Sequence, residues 1–325
     1  MPLTKLIIQI PCYNEADSLP VTLAALPRAV AGVGRVEWLV IDDGSTDGTS
    51  TIARAHGADH FVRLPRHQGL AGAFVAGLEA SVREGADIIV NTDADNQYCA
   101  GDIPRLIEPI LMGAAEIVVG ARPIGSTPHF SPLKKRLQQM GSWAVRKVSK
   151  TDIPDAPSGF RAMSRDAAMQ LHVFNEYSYT LETIIQAGLK GMAIVSVPVS
   201  TNDPLRPSRL MTSLPSYLRR QILTILRIFM TYKPFFFFAA PGILAFLVGL
   251  LIGLRFLFFY LAGEGTGHVQ SIVLSALLMG SGFFLVVVGL LADLASVNRK
   301  LLEGLDWRLK RIEEAVEKDR ERQFQ

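Results

Sequence analysis

Two apolar stretches, Phe235–Tyr260 and Val269–Leu294, restrict what this chain can fold into more than any other feature. Each exceeds the roughly 20 residues that a helix needs to cross a bilayer core. In lipid, backbone polar groups must be satisfied within the protein, which a helix achieves inside its own segment. The connection Leu261–His268 is short and contains no Lys or Arg. Arg219, Arg220, Arg227 and Lys233 precede the first stretch, and Arg299 and Lys300 follow the second. Cations gather on the cytoplasmic side of membrane spans, so the pattern predicts a two-span transmembrane α-hairpin with both ends in the cytosol. Arg255 interrupts the first stretch; it either snorkels to the outer interface or pairs inside an oligomer, and snorkelling costs less. Gly249 and Gly253 form a G-x-x-x-G pair of the kind that permits close helix contact.

The flanks of the hairpin are amphipathic. Met211–Tyr232 sets Arg219, Arg220 and Arg227 among Leu214, Leu218, Ile222, Ile225 and Ile228. That suits a helix lying in the interface plane, with packing on a soluble domain as the alternative. The tail, Ser296–Gln325, carries Leu301, Leu305, Leu309, Ile312 and Val316 at helical spacing among mixed charges. It reads as a cytosolic amphipathic helix available for self-association. The remainder, residues 1–210, is long enough for one sizeable domain. Net charge is +3, which gives no strong attraction to nucleic acid. Two cysteines, Cys12 and Cys99, make no disulfide framework and fit a reducing compartment. No charged n-region leads into a long apolar run near Met1, so the N-terminal part is expected to stay in the cytosol.

Along residues 1–210 short apolar strands alternate with helices. Leu6–Ile10, Val36–Ile41, Phe61–Leu64, Asp87–Val90 and Glu116–Gly120 read as strands. Ala16–Val30, a segment ending at His56 and capped by Ser45 or Thr46, Gly69–Arg83 and Ile103–Met112 read as helices. A further helix begins at Lys134 and runs to about Val148. The alternation predicts an α/β domain, Rossmann-like, with a mostly parallel sheet covered on both faces. Ligands of such sheets bind outside the carboxyl ends of strands. Three polar loops, after Ile10, Ile41 and Val90, would converge there.

The third loop reads V-N-T-D-A-D-N-Q-Y over Val90–Tyr98. In an extended segment Asp93, Asp95 and Gln97 would face one way, a set of oxygen donors suited to a hard divalent cation. A polar turn at a strand exit is the competing reading. Asp42 and Asp43 have the chemistry to accept hydrogen bonds from a base or ribose, or to cap a helix. Tyr13 and Glu15 suit the same partners, or a plain turn. Neither G-x-x-x-x-G-K-[ST] nor G-x-G-x-x-G follows a strand, so a diphosphate would need a metal. His67 and His129 have no second His or Cys at ligand spacing and read as loop or core residues.

The motifs P-C-Y-N-E, D-D-G-S-T-D-G-T, D-A-D-N-Q and S-G-F-R together resemble the family-2 glycosyltransferases of GT-A fold, over roughly Leu3–Leu210. Within that family the chain most resembles polyprenyl-phosphate glycosyltransferases, among them dolichol-phosphate mannose synthases and undecaprenyl-phosphate glucosyltransferases. The resemblance implies that Pro11, Tyr13, Glu15, Asp43, Asp93 and Ala94 hold the nucleotide sugar, with Arg206. It implies that Asp93, Asp95 and Gln97 hold Mg or Mn. Asp155 matches the position of a catalytic carboxylate, beside Asp95. Arg122, Lys135, Ser208 and Arg209 are implied to grip the acceptor phosphate, guanidinium groups being suited to bidentate phosphate contacts. The family often has an Arg and a Ser where Lys135 and Gln139 align. A basic face near headgroups is the plainer reading of Lys134 and Arg136.

The expectation is therefore an inverting, metal-dependent transfer of a sugar from a UDP- or GDP-linked donor to undecaprenyl or dolichyl phosphate. It would run on the cytoplasmic face of the cell inner membrane, in a multi-pass protein, with room for a homo-oligomer (dimer or tetramer). Two rival readings differ from it in motif and span number. A processive polysaccharide synthase usually carries Q-x-x-R-W and more spans; this sequence has no Q-x-x-R-W. A catalytically silent membrane binding protein has no physical need for clustered carboxylates.

Overall fold

The computed structural model describes residues 4–123, 142–173, 179–203, 223–263 and 268–323, apart from 144, 148, 224, 225, 228 and 229. The chain forms two compact units, Met1–Gln221 and Ile222–Gln325.

The first unit is built on β1 (Lys5–Cys12), whose K-L-I-I-Q-I-P-C run is buried from Leu6 onward. A strand apolar on both faces belongs inside a sheet covered on both sides. β2 (Arg35–Asp42) lies parallel on one side of it and β4 (Ile88–Asn91) parallel on the other. β3 (His60–Arg63) continues beyond β2. β5 (Ile117–Ala121), β6 (Arg161–Ser164) and β7 (Ile194–Pro198) complete a seven-stranded sheet of order β3-β2-β1-β4-β6-β5-β7. Chain order reverses between β1 and β4, which puts the binding crevice of an open α/β sheet at their carboxyl ends.

Helices cover both faces. Leu6, Ile8 and Ile10 pack with Leu19 and Leu23 of α1 (Leu19–Ala25) and Leu106 and Ile107 of α4 (Ile103–Leu111). Ile7, Leu39 and Ile41 pack with Phe74 and Leu78 of α3 (Gly69–Arg83). The same side holds α5 (Arg165–Gln170), which is capped by Ser164, and α6 (Thr180–Lys190). Phe74 stacks on Tyr179 with ring centroids 3.7 Å apart.

Several expectations change. The sheet has two strands more than the pattern suggested. β6 places Arg161 at its head, and its antiparallel pairing with β4 and β5 makes the sheet mixed. α1 stops at Ala25, short of Val30, because Pro27 forces Leu26 into an extended conformation (ψ 138°). The helix after β2, α2 (Thr49–Ala55), is preceded by Gly48 in the left-handed region (φ 82°), so Ser45 and Thr46 do not cap it. Asp47 instead accepts from the Thr49 backbone N–H (3.1 Å) and hydroxyl (2.5 Å). The helix from Lys134 and the segment Met211–Tyr232 lie largely outside the described residues.

The second unit contains α7 (Pro234–Leu261) and α8 (Val269–Gln323), both with windows apolar and long enough to cross a membrane. The second apolar stretch and the tail form one unbroken 55-residue helix, about 80 Å long at 1.5 Å per residue. Small residues let the two helices touch backbone to backbone. A Cβ on Gly242 would meet the Gly282 carbonyl at 2.8 Å, and one on Gly249 would meet the Met279 nitrogen at 2.9 Å. The Ser275 hydroxyl donates to the Gly249 carbonyl at 2.7 Å. Such contacts suit a solvent in which apolar burial gives helices no drive to associate.

Gly188 in α6 faces the Ser149 carbonyl, which would lie 2.0 Å from an added Cβ. Ala is the better helix former by roughly 1 kcal/mol, but the clash is with backbone. We expect Gly188→Ala to destabilise the protein by about 1–3 kcal/mol, read as a lowered thermal midpoint of the full chain.

Candidate active site

The loops after β1 and β2 are laced together. Asn14, at φ 53°, accepts from the Thr46 N–H through its Oδ1 (2.9 Å), and its own N–H donates to Ser45 Oγ (2.9 Å). The Glu15 N–H donates to Thr49 Oγ1 (3.0 Å). Asp42 is fully buried and accepts from the Ser45 N–H (2.8 Å) and from Ser50 Oγ. Asp43 accepts from the N–H groups of Gln68 (2.7 Å) and Gly69 (2.9 Å), and its Oδ2 sits 2.8 Å from His67 Nδ1. This order at Asp43 sets His67, whose ring stacks on Tyr13 at 3.8 Å. Tyr13 remains 38% exposed and offers an aromatic face at the sheet edge.

The loop after β4 is a turn, not an extended segment. β4 ends at Asn91, Asn96 takes φ 55°, and Asp95 Oδ1 accepts from the Gln97 N–H at 3.1 Å. The simple alternation of Asp93, Asp95 and Gln97 therefore does not hold; the turn gathers the carboxylates instead. Burial pushes Asp93 up to about 7, the nearby Asp95 charge adds to the rise, and the cations Arg122 and Arg161 oppose it. The loop is fastened from two sides. Thr22 Oγ1 of α1 donates to the Ala94 carbonyl (2.7 Å). Asn202 Nδ2 donates to the Asn96 carbonyl (2.9 Å), and Tyr98 pairs with Thr201.

Under this loop lies a buried polar layer. Gln9 Nε2 donates to Asn91 Oδ1, and Asn91 Nδ2 donates to the Gly159 carbonyl and to the Tyr179 hydroxyl, each at 2.9 Å. The Gly159 N–H donates to the Tyr98 hydroxyl (2.9 Å). Burial pushes the Tyr98 hydroxyl up to about 12, so it stays protonated. A Cβ on Gly159 would sit 3.1 Å from both Asp93 Oδ1 and the Tyr179 hydroxyl, so glycine is what lets this backbone approach the carboxylate.

Asp155 is fully buried and held in a fork by Arg122: Nε to Oδ2 at 2.7 Å, Nη2 to Oδ1 at 3.0 Å, with the Arg122 N–H on Oδ2 at 3.1 Å. Arg161, also fully buried, donates through Nε to the Ser158 carbonyl and through Nη2 to the Ala156 carbonyl, each at 2.8 Å. Its Nη1 donates to Thr183 Oγ1. It ties the Asp155–Ser158 turn to α6.

Residues 7–171 match the glycosyl transferase family 2 description. The chain belongs to glycosyltransferase family 2. It is 31% identical over 206 residues to an undecaprenyl-phosphate mannosyltransferase of Micrococcus luteus, covering 60% of this chain and 83% of that protein. It is 27% identical to the polyprenol monophosphomannose synthase of Mycolicibacterium smegmatis, over 62% of this chain and 79% of that one. Among solved structures, its fold resembles glucosyl-3-phosphoglycerate synthase of Mycobacterium tuberculosis in complex with Mn2+, uridine diphosphate and glucosyl-3-phosphoglycerate. That likeness has a TM-score of 0.53 at 20% identity, covering 69% of this chain and 80% of that chain.

In this glycosyltransferase the fold brings Pro11, Tyr13, Glu15, Asp43, Asp93, Ala94, Asp95 and Gln97 to loops or strand ends on one edge of the sheet. Asp155 and Arg122 join each other, and the charges of both Arg122 and Asp95 reach Asp93. Lys135, Arg206, Ser208 and Arg209 lie outside the described residues. Asp43 and Asp155 are 2% and 0% exposed, so each serves first as an anchor, of the His67–Gly69 turn and of Arg122. Sequence reasoning missed Arg161, Gly159, Asn91, Tyr179 and Asn202 as supports of the site. Arg161 and Gly159 stood inside S-G-F-R; the others had no local signal.

Two outcomes follow from this geometry. Arg122→Ala leaves the Asp155 carboxylate buried without its main partner and should cost about 3–5 kcal/mol, read by chemical unfolding of the full chain. For Asp93 in metal-free protein, the folded pKa lies above the ordinary carboxylate value, so ionisation favours the unfolded chain as pH rises. The penalty builds from about pH 4 and is complete above about pH 7. Asp93→Asn should therefore gain thermal stability over the parent progressively between those limits, measured with chelator present, and the gain should be flat above them.

Proposed function

We propose that this glycosyltransferase transfers a sugar from a UDP- or GDP-linked donor to a polyprenyl phosphate at the cytoplasmic face of the inner membrane, with inversion at the anomeric carbon. The observation that carries the reading is the crowded pair Asp93 and Asp95 at the β1/β4 switch point, in a chain that also holds two helices long and apolar enough to span. The acceptor class is supported by relatives named for undecaprenyl, polyprenol and dolichyl phosphates. The nucleotide donor is supported by a structural relative solved with uridine diphosphate. The proposed organisation is a cytosolic domain over 1–210, an interface helix over 211–233, spans within 234–294 and a cytosolic tail.

The donor set fits a hard divalent cation. Two carboxylates crowd until one resists ionisation, and Mg in such sites keeps one or two carboxylates plus substrate phosphates. Asp93, Asp95 and Gln97 would hold Mg or Mn, which when bound neutralises charge on the leaving diphosphate. The exposed ring of Tyr13 and the Glu15 carboxylate serve the nucleoside. The acceptor phosphate, with a second pKa near 6, is largely ionised at neutral pH and needs no base. Its oxygen attacks the anomeric carbon as the carbon–oxygen bond to the diphosphate breaks on the opposite face. Asp155 holds the Arg122 guanidinium toward the developing anionic charge, so it acts by orientation and not by taking a proton. Lys135, Arg206, Ser208 and Arg209 are proposed to clasp the phosphates.

Purified full-length protein incubated with a panel of UDP- and GDP-sugars, polyprenyl phosphate and Mg or Mn should yield a glycosylated lipid by mass analysis. No lipid product with any donor overturns the reading. Asp95→Ala should lower turnover by about 10²–10³-fold or more, whereas Asp155→Asn should retain measurable activity. Full activity of Asp95→Ala under chelation would remove the metal from the account.

A further inference from the structure

The loop after β3 enters the site, although the sequence motifs picked out the loops after β1, β2 and β4. It spans residues 64–68 and carries His67, read from the sequence as a loop or core residue. Its backbone is set by the loop after β2. Gly44 takes φ 73°, and a Cβ there would meet the carbonyl carbon of Arg66 and the nitrogen of His67 at 2.9 Å each. Glycine permits both that φ and that approach. Asp43 then fixes the imidazole. It accepts from the Gln68 and Gly69 N–H groups, and its Oδ2 lies 2.8 Å from His67 Nδ1. A carboxylate accepts, so Nδ1 is the donor and carries the proton.

The imidazole so held lies against the Tyr13 ring, with centroids 3.8 Å apart and planes 24° from parallel. Two facts separate this pair from ordinary core packing. His67 is half-exposed and Tyr13 is 38% exposed, so the stack sits at the surface of the sheet's carboxyl edge. Asp43, in contrast, is 2% exposed, and both of its oxygens are engaged. A ligand at this edge therefore meets what Asp43 holds before it meets Asp43. An aromatic side chain fixed before binding gives up less freedom when a flat ligand lands on it. A nucleoside base is such a ligand: stacking needs only a π-face, which every base has.

We propose that His67 is a positioning residue for the donor nucleoside. Locked by Asp43, it holds the Tyr13 ring as a platform on which the base stacks. This role rests on the nucleotide-linked donor proposed above. The Asp43 carboxylate, which the family motif offers for the nucleotide, contributes at one remove, through His67.

Calorimetric titration tests it, with UDP and GDP each added together with Mn to the full-length protein in detergent. His67→Ala should weaken binding of whichever nucleotide the parent binds by about 3- to 10-fold, the worth of one aromatic pair. His67→Phe keeps a ring against Tyr13 and should recover most of that loss. His67→Asn keeps a polar group beside Asp43 without the ring and should bind like His67→Ala. On a Tyr13→Ala background, His67→Ala should cost less than about twofold more, since the brace then has nothing to hold. An unchanged affinity in His67→Ala, His67→Phe as weak as His67→Ala, or an undiminished loss on the Tyr13→Ala background overturns the proposal and leaves the donor reading standing. Binding of neither UDP nor GDP by the parent overturns the donor reading, and the role of His67 with it.

Discussion

Like-charge repulsion at the carboxyl edge of the sheet is the constraint on which the first unit depends. Asp42, Asp43, Asp93, Asp95 and Asp155 all belong to this edge, and three of them are almost fully buried. A buried carboxylate persists as an anion only where hydrogen bonds or cations replace its lost water. Asp42 and Asp43 are stabilised by N–H groups of neighbouring turns, Asp42 with the Ser50 hydroxyl and Asp43 with His67 beside it. Asp155 has a guanidinium fork. Asp93 has no comparable compensation and resists ionisation. The fold thus gives Asp42, Asp43 and Asp155 partners of their own and leaves Asp93, beside Asp95, resisting ionisation at a position that would receive a cation favourably.

The second unit solves a different problem with different means. The facing stretches of its helices are apolar almost all round, so in a bilayer burial of side chains would give them little reason to pair. Gly242, Gly249 and Gly282 bring backbones within contact, and Ser275 satisfies its hydroxyl on a carbonyl across the interface. Small residues thereby do for this hairpin what Leu and Ile do for the sheet.

Much of this was legible in the sequence. Strand runs such as L-I-I-Q-I and V-E-W-L-V are nearly continuous in apolar residues, and Gly69–Arg83 has the spacing of a packed helix, so both were readable locally. β6 was not, because a four-residue strand headed by a buried Arg has neither alternation nor an apolar run. The D-A-D loop is legible by composition but not in shape: strand geometry ends at Asn91, six residues short of Gln97, and the left-handed Asn96 turns the chain in between. The anchoring roles of Asp43 and Asp155 required knowing which turns lie beside them, information that is far away in the chain. The tail was split from the second apolar stretch because composition changes sharply at Arg299 while helical backbone does not.

The clasp between Asn202 and the carbonyls of Asn96 and Tyr98 has a consequence for how such enzymes can diverge. The motif loop takes its register from a residue about a hundred positions downstream. A transplanted D-A-D-N-Q-Y would carry its ligands into a new host and leave its fastening behind. The six residues are therefore not a portable cassette. They are half of a two-part device, inherited usefully only together with the strand end that holds them.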